Sequence, residues 1–137
     1  MRPRYENPID LENENIVSNE IKKRFRLDLK KLPIDYNVDY ALMSNSKIRA
    51  WAEVKSRSCK STAYDSYMIS LNKILRGLWI SQQTDRPLFL FVKWKDLTGY
   101  CKIETITGLG WGGREDRNDW QDLEPMCHYP ITNFKTL

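Results

Sequence analysis

Two carboxylates and a lysine, Asp39, Glu53 and Lys55, stand in neighbouring segments whose residues alternate between two faces of a strand. Successive side chains of a β-strand point to opposite faces, so Glu53 and Lys55 are expected to share one face of a strand over 48–55. The other face of that strand would carry Ile48, Ala50, Ala52 and Val54. In the preceding segment, the face opposite Asp39 would carry Val38, Tyr40 and Leu42. Two acids and a lysine in this arrangement could bind a cation and neutralise negative charge beside it.

The turn between the two segments sets their register. The residues Ser44-Asn45-Ser46-Lys47 favour a turn. We predict a three-residue loop over 45–47, with Ser44 paired to Ile48. In that register Asp39 lies directly opposite Glu53, with the two Cβ atoms roughly 5 Å apart. Two carboxylates at this distance repel each other, and a shared divalent cation is the simplest reason to place them so.

A helix is predicted over about residues 10–29, between a possible N-cap at Asp10 and the helix-breaking Pro33. Its buried side is marked by Val17, Ile21 and Phe25. Glu14 lies one turn before Val17 on nearly the same side, where a carboxylate is costly without a partner. Glu20 lies at the edge of that side. Either glutamate could instead be a boundary residue that reaches solvent.

A basic loop and a second helix follow the carboxylate pair. The loop, 56–62, carries Arg57 and Lys60, which could contact a phosphate backbone or belong to an ordinary solvated loop. The helix is predicted over about 65–84. Its apolar side consists of Tyr67, Leu71, Ile74, Leu75 and Leu78. Gly77 lowers helix propensity by about 1 kcal/mol, which favours close packing against a sheet. Lys73, on the other side, is either a phosphate contact or a solvated lysine.

Two further strands follow. The apolar run 88–94 comes directly after Pro87, and we predict a central strand that is buried on both faces. Residues 100–106 are less hydrophobic and predict a strand nearer the sheet edge.

The end of the chain differs from the rest in composition. Its glycine-rich stretch, 108–114, lacks the Lys-Ser/Thr ending of a nucleotide-binding loop and predicts a flexible loop. A final strand is predicted between Met126 and Phe134. Three residues here, Trp111, Arg114 and Arg117, could stack on and clamp an unstacked or distorted nucleic acid.

Composition narrows the class of protein. A chain of 137 residues with 41% hydrophobic and 29% charged residues fits one soluble domain over 1–137. The net charge of +4 permits nucleic-acid binding without requiring it. Three scattered cysteines and the single His128 argue against a zinc site and for reduced thiols. With a charged start and no membrane-length apolar run, the sequence predicts an intracellular, cytoplasmic protein without a membrane partner.

The order of these elements, with Asp39 followed by Glu53-Val54-Lys55, resembles the PD-(D/E)xK nuclease superfamily. Within it, the chain is most similar to small Holliday junction resolvase-like and phage-encoded members. The resemblance covers roughly residues 10–106 and departs at Val38, where the family name has proline. It implies an α/β fold with a restriction-endonuclease-like core. In that core a mixed sheet of about four to five strands is flanked by helices in the order α-β-β-α-β-β, and 107–137 forms an extension.

The resemblance also implies an activity and its ligands. It implies hydrolysis of DNA phosphodiester bonds with Mg²⁺ or Mn²⁺ and no small-molecule cofactor. The metal ligands would be Asp39, Glu53, the Val54 carbonyl and the helix-borne Glu14, with Glu20 as the alternative. Lys55 would orient the attacking water or neutralise developing charge.

The substrate and the rival functions stay open at this point. Branched DNA, cut by a homodimer in recombination, repair or phage DNA processing, is one expectation. Flaps, nicked duplexes and plain single- or double-stranded DNA are others. The chief rival is a non-catalytic nucleic-acid-binding module that keeps the fold. A structural or partner-binding protein is a third possibility.

Overall fold

One mixed sheet forms the centre of the computed structural model, which describes residues 8–113, 120 and 123–137. The described residues form two α-helices and nine β-strands. In chain order these are α1 (Pro8–Phe25), β1 (Asp28–Lys31), β2 (Tyr40–Ser44), β3 (Lys47–Ser56), β4 (Ser66–Ser70), α2 (Leu71–Thr84), β5 (Leu88–Lys93), β6 (Thr98–Ile103), β7 (Gly110–Gly113), β8 (Leu123–Pro130) and β9 (Lys135–Thr136). The order of helices and sheet expected from the resemblance is therefore present, with additional strands between and after its elements.

The main sheet has the strand order β1-β2-β3-β5-β6-β9. Only the β3–β5 pair is parallel, because helix α2 connects these strands, and the other neighbouring pairs are antiparallel. Strand β5 occupies the centre, with Leu88, Leu90, Phe91 and Val92 buried. The predicted central strand is confirmed, and the sheet has six strands rather than four or five.

Each face of this sheet packs on one helix, which explains the alternating pattern of β2 and β3. On one face Val17 and Ile21 of α1 pack in a cluster that also contains Tyr40, Leu42, Ala50, Ala52 and Val54. On the other face Ile74 of α2 joins a cluster that contains Ala41, Trp51, Leu90 and Val92. The predicted sorting of residues is correct for β2 and for Ala50, Ala52 and Val54 of β3. It is wrong for Ile48, which pairs with Met43 of the α2 side and is 37% exposed. Val38 is an exception, because it precedes β2 and packs on the α2 side with Ala41.

The β2–β3 hairpin has the predicted register at Leu42 but a shorter loop than predicted. Its loop has two residues, Asn45 and Ser46, both with positive φ (51° and 63°), and Ser44 pairs with Lys47. The three-residue loop is therefore wrong. A shift between Leu42 and Met43 then adds one residue on β3, so Leu42 pairs with Ala50. The shorter loop and the irregularity offset each other, and the pairing returns to the predicted register.

Helix α1 is shorter than predicted. It begins at Pro8, so Asp10 lies inside it rather than at its N-cap, and it ends at Phe25. Arg26 has a φ of 57° and its N–H donates to the carbonyl of Lys22, which closes the helix. Residues 28–31 form β1 instead, because Leu29 pairs with Leu42 of β2. The ring of Phe25, 37% exposed, packs edge-on against Tyr100 at 5.3 Å.

Helix α2 also starts later than predicted, because residues 66–70 form strand β4. Tyr67 and Ile69 are buried at a spacing of two, and the whole of β4 pairs with β8. Leu75, predicted on the buried side of the helix, is 46% exposed. Close packing at Gly77 is confirmed, since a Cβ there would lie 2.7 Å from Cδ2 of Leu88.

The glycine-rich stretch contains strand β7, not only a flexible loop. It pairs with β8 in a second sheet of order β4-β8-β7. Gly112 packs closely here, because a Cβ would lie 3.1 Å from Sδ of Met68. The predicted final strand between residues 126 and 134 corresponds to β8, which begins at Leu123 and ends at Pro130. In the described part of the chain, neither helix has the length and apolar character to cross a bilayer.

Candidate active site

Glu53 is an acidic residue buried within the main sheet. It lies in β3 opposite Leu90 of the parallel strand β5, and it is 1% exposed. Neither of its carboxylate oxygens has a hydrogen-bond partner among the described residues. A buried carboxylate without donors is costly, so a strand that keeps one at its centre points to a ligand-binding role.

Asp39 and two lysines surround this carboxylate. Asp39 immediately precedes β2, and its backbone carbonyl accepts a hydrogen bond from the N–H of Leu32. The Nζ of Lys55 lies 3.5 Å from Oδ2 of Asp39. The Nζ of Lys73, in the first turn of α2, lies 3.1 Å from Oδ1 of Asp39 and 3.9 Å from Oε2 of Glu53. One helix and two strands thus bring two acids and two cations together.

The two carboxyl groups have opposite pKa shifts. Burial, together with the negative charge of the neighbouring Asp39, raises the pKa of Glu53. Burial alone would raise the pKa of Asp39 as well. The neighbouring Glu53 carboxyl group and the positive charges of Lys55 and Lys73 outweigh it and lower the pKa of Asp39. In the absence of a metal the pair therefore holds one proton at neutral pH, at a place where a divalent cation could replace it.

A cavity of about 730 Å³ opens beside the carboxylate pair, at the carboxyl ends of the parallel strands β3 and β5. Its described lining includes Asp39 and Glu14 as the acids. The cationic residues of the lining are Lys31, Lys55, Arg57, Lys73, Arg76 and Lys93. This excess of positive charge favours a polyanion, and a phosphate backbone meets that description.

The two glutamates considered on the first helix have different surroundings. Glu14 lines the cavity, and its Oε2 lies 3.4 Å from Nζ of Lys31. Glu20 is absent from the described lining, and its Oε1 lies 3.5 Å from Oγ1 of Thr98. Among the described residues, no group of three or more His, Cys, Asp or Glu side chains is close enough to hold one ion. The geometry therefore favours Glu14 over Glu20 as the helix-borne acid, without bringing it into contact with the pair.

The remaining predicted residues fall in different places. Val54 and Arg57 line the same cavity as Asp39. Lys60 is exposed and lies on a second cavity beyond Arg57. Trp111 is 70% exposed on β7 and lies outside the described lining of both cavities. Arg114 and Arg117 lie outside the described residues.

Sequence reasoning underestimated the cationic side of the site. The sequence allows Lys73 to be either a phosphate contact or a solvated lysine. In the structure it contacts both acids of the pair. The spacing of Lys73 and Arg76, three residues apart on the polar side of α2, indicates that the two cations lie on the same face of the helix. Lys31 of β1 and Lys93 of β5 reach the cavity because their strands belong to the main sheet, a placement that depends on tertiary pairing.

A family model provides the decisive comparison. The model described as "Phage putative PDDEXK endonuclease" matches residues 1–137, the whole chain. The chain belongs to this PD-(D/E)xK family. Members are named for an acid followed by an Asp/Glu-x-Lys set, a pattern that Asp39 and Glu53-Val54-Lys55 follow in this sequence. The resemblance based on those residues is thereby confirmed.

Solved structures agree with this PD-(D/E)xK assignment at the level of the fold. The chain is similar to Hjc of Archaeoglobus fulgidus, a Holliday junction resolvase from an archaeal hyperthermophile, with a TM-score of 0.57 and 9% sequence identity. The similarity covers 89% of this chain and 88% of the resolvase. Among curated proteins, no sequence matches this chain significantly.

Proposed function

We propose that this protein is a divalent-metal-dependent endodeoxyribonuclease whose centre is the Asp39–Glu53 pair. The observation that carries the proposal is Glu53, a buried carboxylate with two oxygens that lack donors, beside a cavity lined by six cationic residues. Membership of a PD-(D/E)xK endonuclease family supports the same activity. A non-catalytic binding module would have little reason to maintain such a costly group in its central strand.

Asp39 and Glu53 would hold Mg²⁺ or Mn²⁺, with the carbonyl of Val54 and the carboxylate of Glu14 as further ligands. The carboxylate oxygens of Asp39 and Glu53, of which those of Glu53 have no hydrogen-bond donor, suit a hard cation that keeps part of its water shell. A bound divalent cation would supply an acidified water and stabilise negative charge on the scissile phosphate. Glu14 would have to exchange its ion pair with Lys31 for this ligand role.

The lysines would act on the substrate. Lys55, 3.5 Å from Asp39, is placed to orient the attacking water and to neutralise charge that develops on the phosphate. Lys73 contacts both acids when no metal is bound and offsets the single negative charge of the pair, and a divalent cation would free its ammonium group for a phosphate oxygen. The other cations of the lining would hold the strand on either side of the scissile bond.

The proposed substrate is DNA, with branched DNA as the first candidate. The fold similarity to a Holliday junction resolvase is the reason to test four-way junctions first. A homodimer that nicks two strands symmetrically would suit such a substrate. Processing of phage DNA, or its recombination and repair, is the corresponding cellular role.

A cleavage panel tests the function. Purified protein with Mg²⁺ or Mn²⁺ is incubated with a four-way junction, a flap, a nicked duplex, a plain duplex and a single strand. We expect metal-dependent cleavage that falls by at least about 10³-fold in Glu53→Gln and Asp39→Asn, because each removes one charged ligand of the pair. Glu104→Gln is the matched control, since Glu104 is an exposed acid on the surface.

Two outcomes would reject the proposal. Undiminished cleavage by Glu53→Gln would place the chemistry elsewhere. Salt-sensitive DNA binding without metal-dependent cleavage of any substrate would favour the binding module instead.

A further inference from the structure

A second cavity of about 410 Å³ lies on the other side of Arg57 from the carboxylate site. Arg57 lines both cavities. Its guanidinium lies 4.6 Å from the centre of the Tyr67 ring, and its backbone N–H donates to the carbonyl of Lys93. Arg57 is thus held between the two cavities by a cation–π contact and by the main sheet.

Aromatic rings form much of the second cavity. Tyr67 and Trp94 are buried, 3% and 4% exposed, and their rings meet edge to face at 6.2 Å. Tyr64, in contrast, is 72% exposed although it lines the same cavity. Two fixed rings and one accessible ring provide the surface on which a flat heterocycle could stack.

Polar groups complete the lining. Oγ of Ser66 and Nδ1 of His128 share a hydrogen bond of 3.0 Å, and both residues line the cavity. Lys60 and Ser61 lie there as well. Such hydroxyl and imidazole groups can exchange hydrogen bonds with the edge of a base, and Lys60 adds positive charge beside it.

The position of Arg57 connects this cavity to the reaction. A DNA strand alternates phosphates with nucleosides. A strand that has one phosphate at the carboxylate pair and contacts Arg57 with its backbone would therefore bring a nucleoside toward the second cavity. The size of the cavity, within the range of small-molecule sites, is sufficient for one base.

We infer that this cavity binds the unstacked nucleobase of a nucleotide that neighbours the scissile phosphate, with Tyr64 as the stacking ring. The inference rests on the proposed function, since it assumes that a DNA strand enters the carboxylate cavity. It narrows the substrate class to DNA with unpaired bases, because a base within an intact duplex would first have to be unstacked and unpaired at a cost in free energy. Single-stranded, flapped or branched DNA satisfies this condition.

Nucleotide titrations test the cavity directly, without divalent cations. Thymidine 5′-monophosphate and deoxyribose 5-phosphate are each added to the ¹⁵N-labelled protein, and backbone amide shifts are followed by NMR. We expect the nucleotide to shift the amides of Tyr64, Ser66 and His128 as well as that of Arg57. Deoxyribose 5-phosphate, which has no base, should affect only the surroundings of Arg57.

Affinity for a longer strand gives the energetic test. Binding of a labelled oligodeoxythymidylate of about sixteen nucleotides is measured in EDTA for wild type, Tyr64→Ala, Tyr64→Phe and Trp79→Ala. Tyr64→Ala should weaken binding roughly tenfold, as expected for the loss of one stacked base, and Tyr64→Phe should keep wild-type affinity. Trp79 is an exposed aromatic residue outside the described lining, so Trp79→Ala should bind like wild type.

The inference fails if Tyr64→Ala binds like Trp79→Ala, or if the nucleotide shifts no amide that deoxyribose 5-phosphate leaves unchanged. Its failure is separable from failure of the proposed function. Cleavage that depends on Glu53 but not on Tyr64 would reject the base cavity alone. Base binding at Tyr64 by a protein that cleaves no substrate would reject the nuclease alone.

Discussion

At the scale of single residues, Glu53 combines a high energetic cost with a central position. Its burial in β3 disfavours the charged form, and Asp39 opposes ionisation further. Lys73 relieves part of this cost, because its ammonium lies within 4 Å of both acids. The folded protein can thus accommodate Asp39 and Glu53 side by side when no metal is bound.

The raised pKa of Glu53 predicts a pH-dependent stability of the metal-free protein. The folded state holds a proton on Glu53 that the unfolded chain releases above the ordinary glutamate pKa of 4.5. The contribution of Glu53 to the free energy of unfolding has its full value below that pKa. It declines as pH rises toward the raised pKa of Glu53 in the folded state. Glu53→Gln has no titrating group there. Its melting temperature in EDTA should exceed that of wild type by a margin that grows between about pH 5 and about pH 8.

The lowered pKa of Asp39 affects the stability of the protein at lower pH than the raised pKa of Glu53 does. Its stabilising contribution is present above the ordinary aspartate pKa of 3.8 and is lost as pH falls through the folded pKa. It therefore does not alter the trend above pH 5. Glu104→Gln is the control and should follow wild type at every pH, while a margin for Glu53→Gln that stays constant with pH would contradict the raised pKa of Glu53.

Because Lys73 contacts both acids, we expect its substitution to change metal binding and cleavage in opposite directions. Lys73→Met removes a cation that competes for both carboxylates, so the affinity for Mn²⁺ measured by calorimetry without DNA should rise by roughly fivefold or more. Cleavage should fall at least about tenfold, because the phosphate loses a cationic contact. Lys102→Met, at an exposed lysine, is the control. Weaker Mn²⁺ binding by Lys73→Met would show that Lys73 supports the metal site rather than competing with the metal.

At the scale of elements, two contacts position the site. The β2–β3 register places Asp39 next to Glu53, because the two-residue loop and the irregularity at Leu42/Met43 offset each other. The close approach of α2 to β5 at Gly77 places Lys73 above the same pair. A change in either contact would separate the charges that the sheet brings together.

Substitution of Gly77 tests the second contact. A side chain at this position would meet Cδ2 of the buried Leu88, so Gly77→Val should reduce the free energy of unfolding by about 1–3 kcal/mol in urea denaturation. Helix α2 would also move away from the sheet, and cleavage should fall with it. Gln82→Val, at an exposed position of the same helix, is the control for a β-branched side chain in α2; because valine has a higher helix propensity than glycine, propensity alone would not destabilise Gly77→Val. Equal losses in the two variants would mean that packing at Gly77 contributes nothing.

At the scale of the whole molecule, the modest net charge of +4 is unevenly distributed. Six cationic residues line one cavity, although they are scattered along the sequence in β1, at the end of β3, in α2 and in β5. Such a concentration of charge attracts a polyanion even though the net charge of the chain is small.

The cavity predicts salt-dependent DNA binding. In EDTA, the logarithm of the association constant for duplex DNA should fall linearly with the logarithm of salt concentration. Arg57→Ala should make this slope shallower by about 0.9, which corresponds to one lost phosphate contact. Lys102→Ala should leave the slope unchanged. An Arg57→Ala slope equal to that of wild type would remove Arg57 from the DNA-binding surface.

The sequence by itself determined the parts of the fold that depend on local pattern. The alternation of β2 and β3, the long apolar run of β5 and the amphipathic part of α2 follow from the periods of strand and helix. The same alternation predicted Asp39, Glu53 and Lys55 on one side of the hairpin, and that set together with the order of the elements indicated the resemblance to the PD-(D/E)xK superfamily.

Only the tertiary structure decided the features that depend on distant partners. Strands β1, β4 and β7 form because β2 and β8 supply their hydrogen bonds, and no local pattern distinguished them from a helix end or a loop. The contact of Lys73 with the acids likewise depends on how α2 packs across the sheet, 34 residues along the chain from Asp39. Contacts of this kind are fixed by packing between elements, and a local sequence pattern carries no information about them.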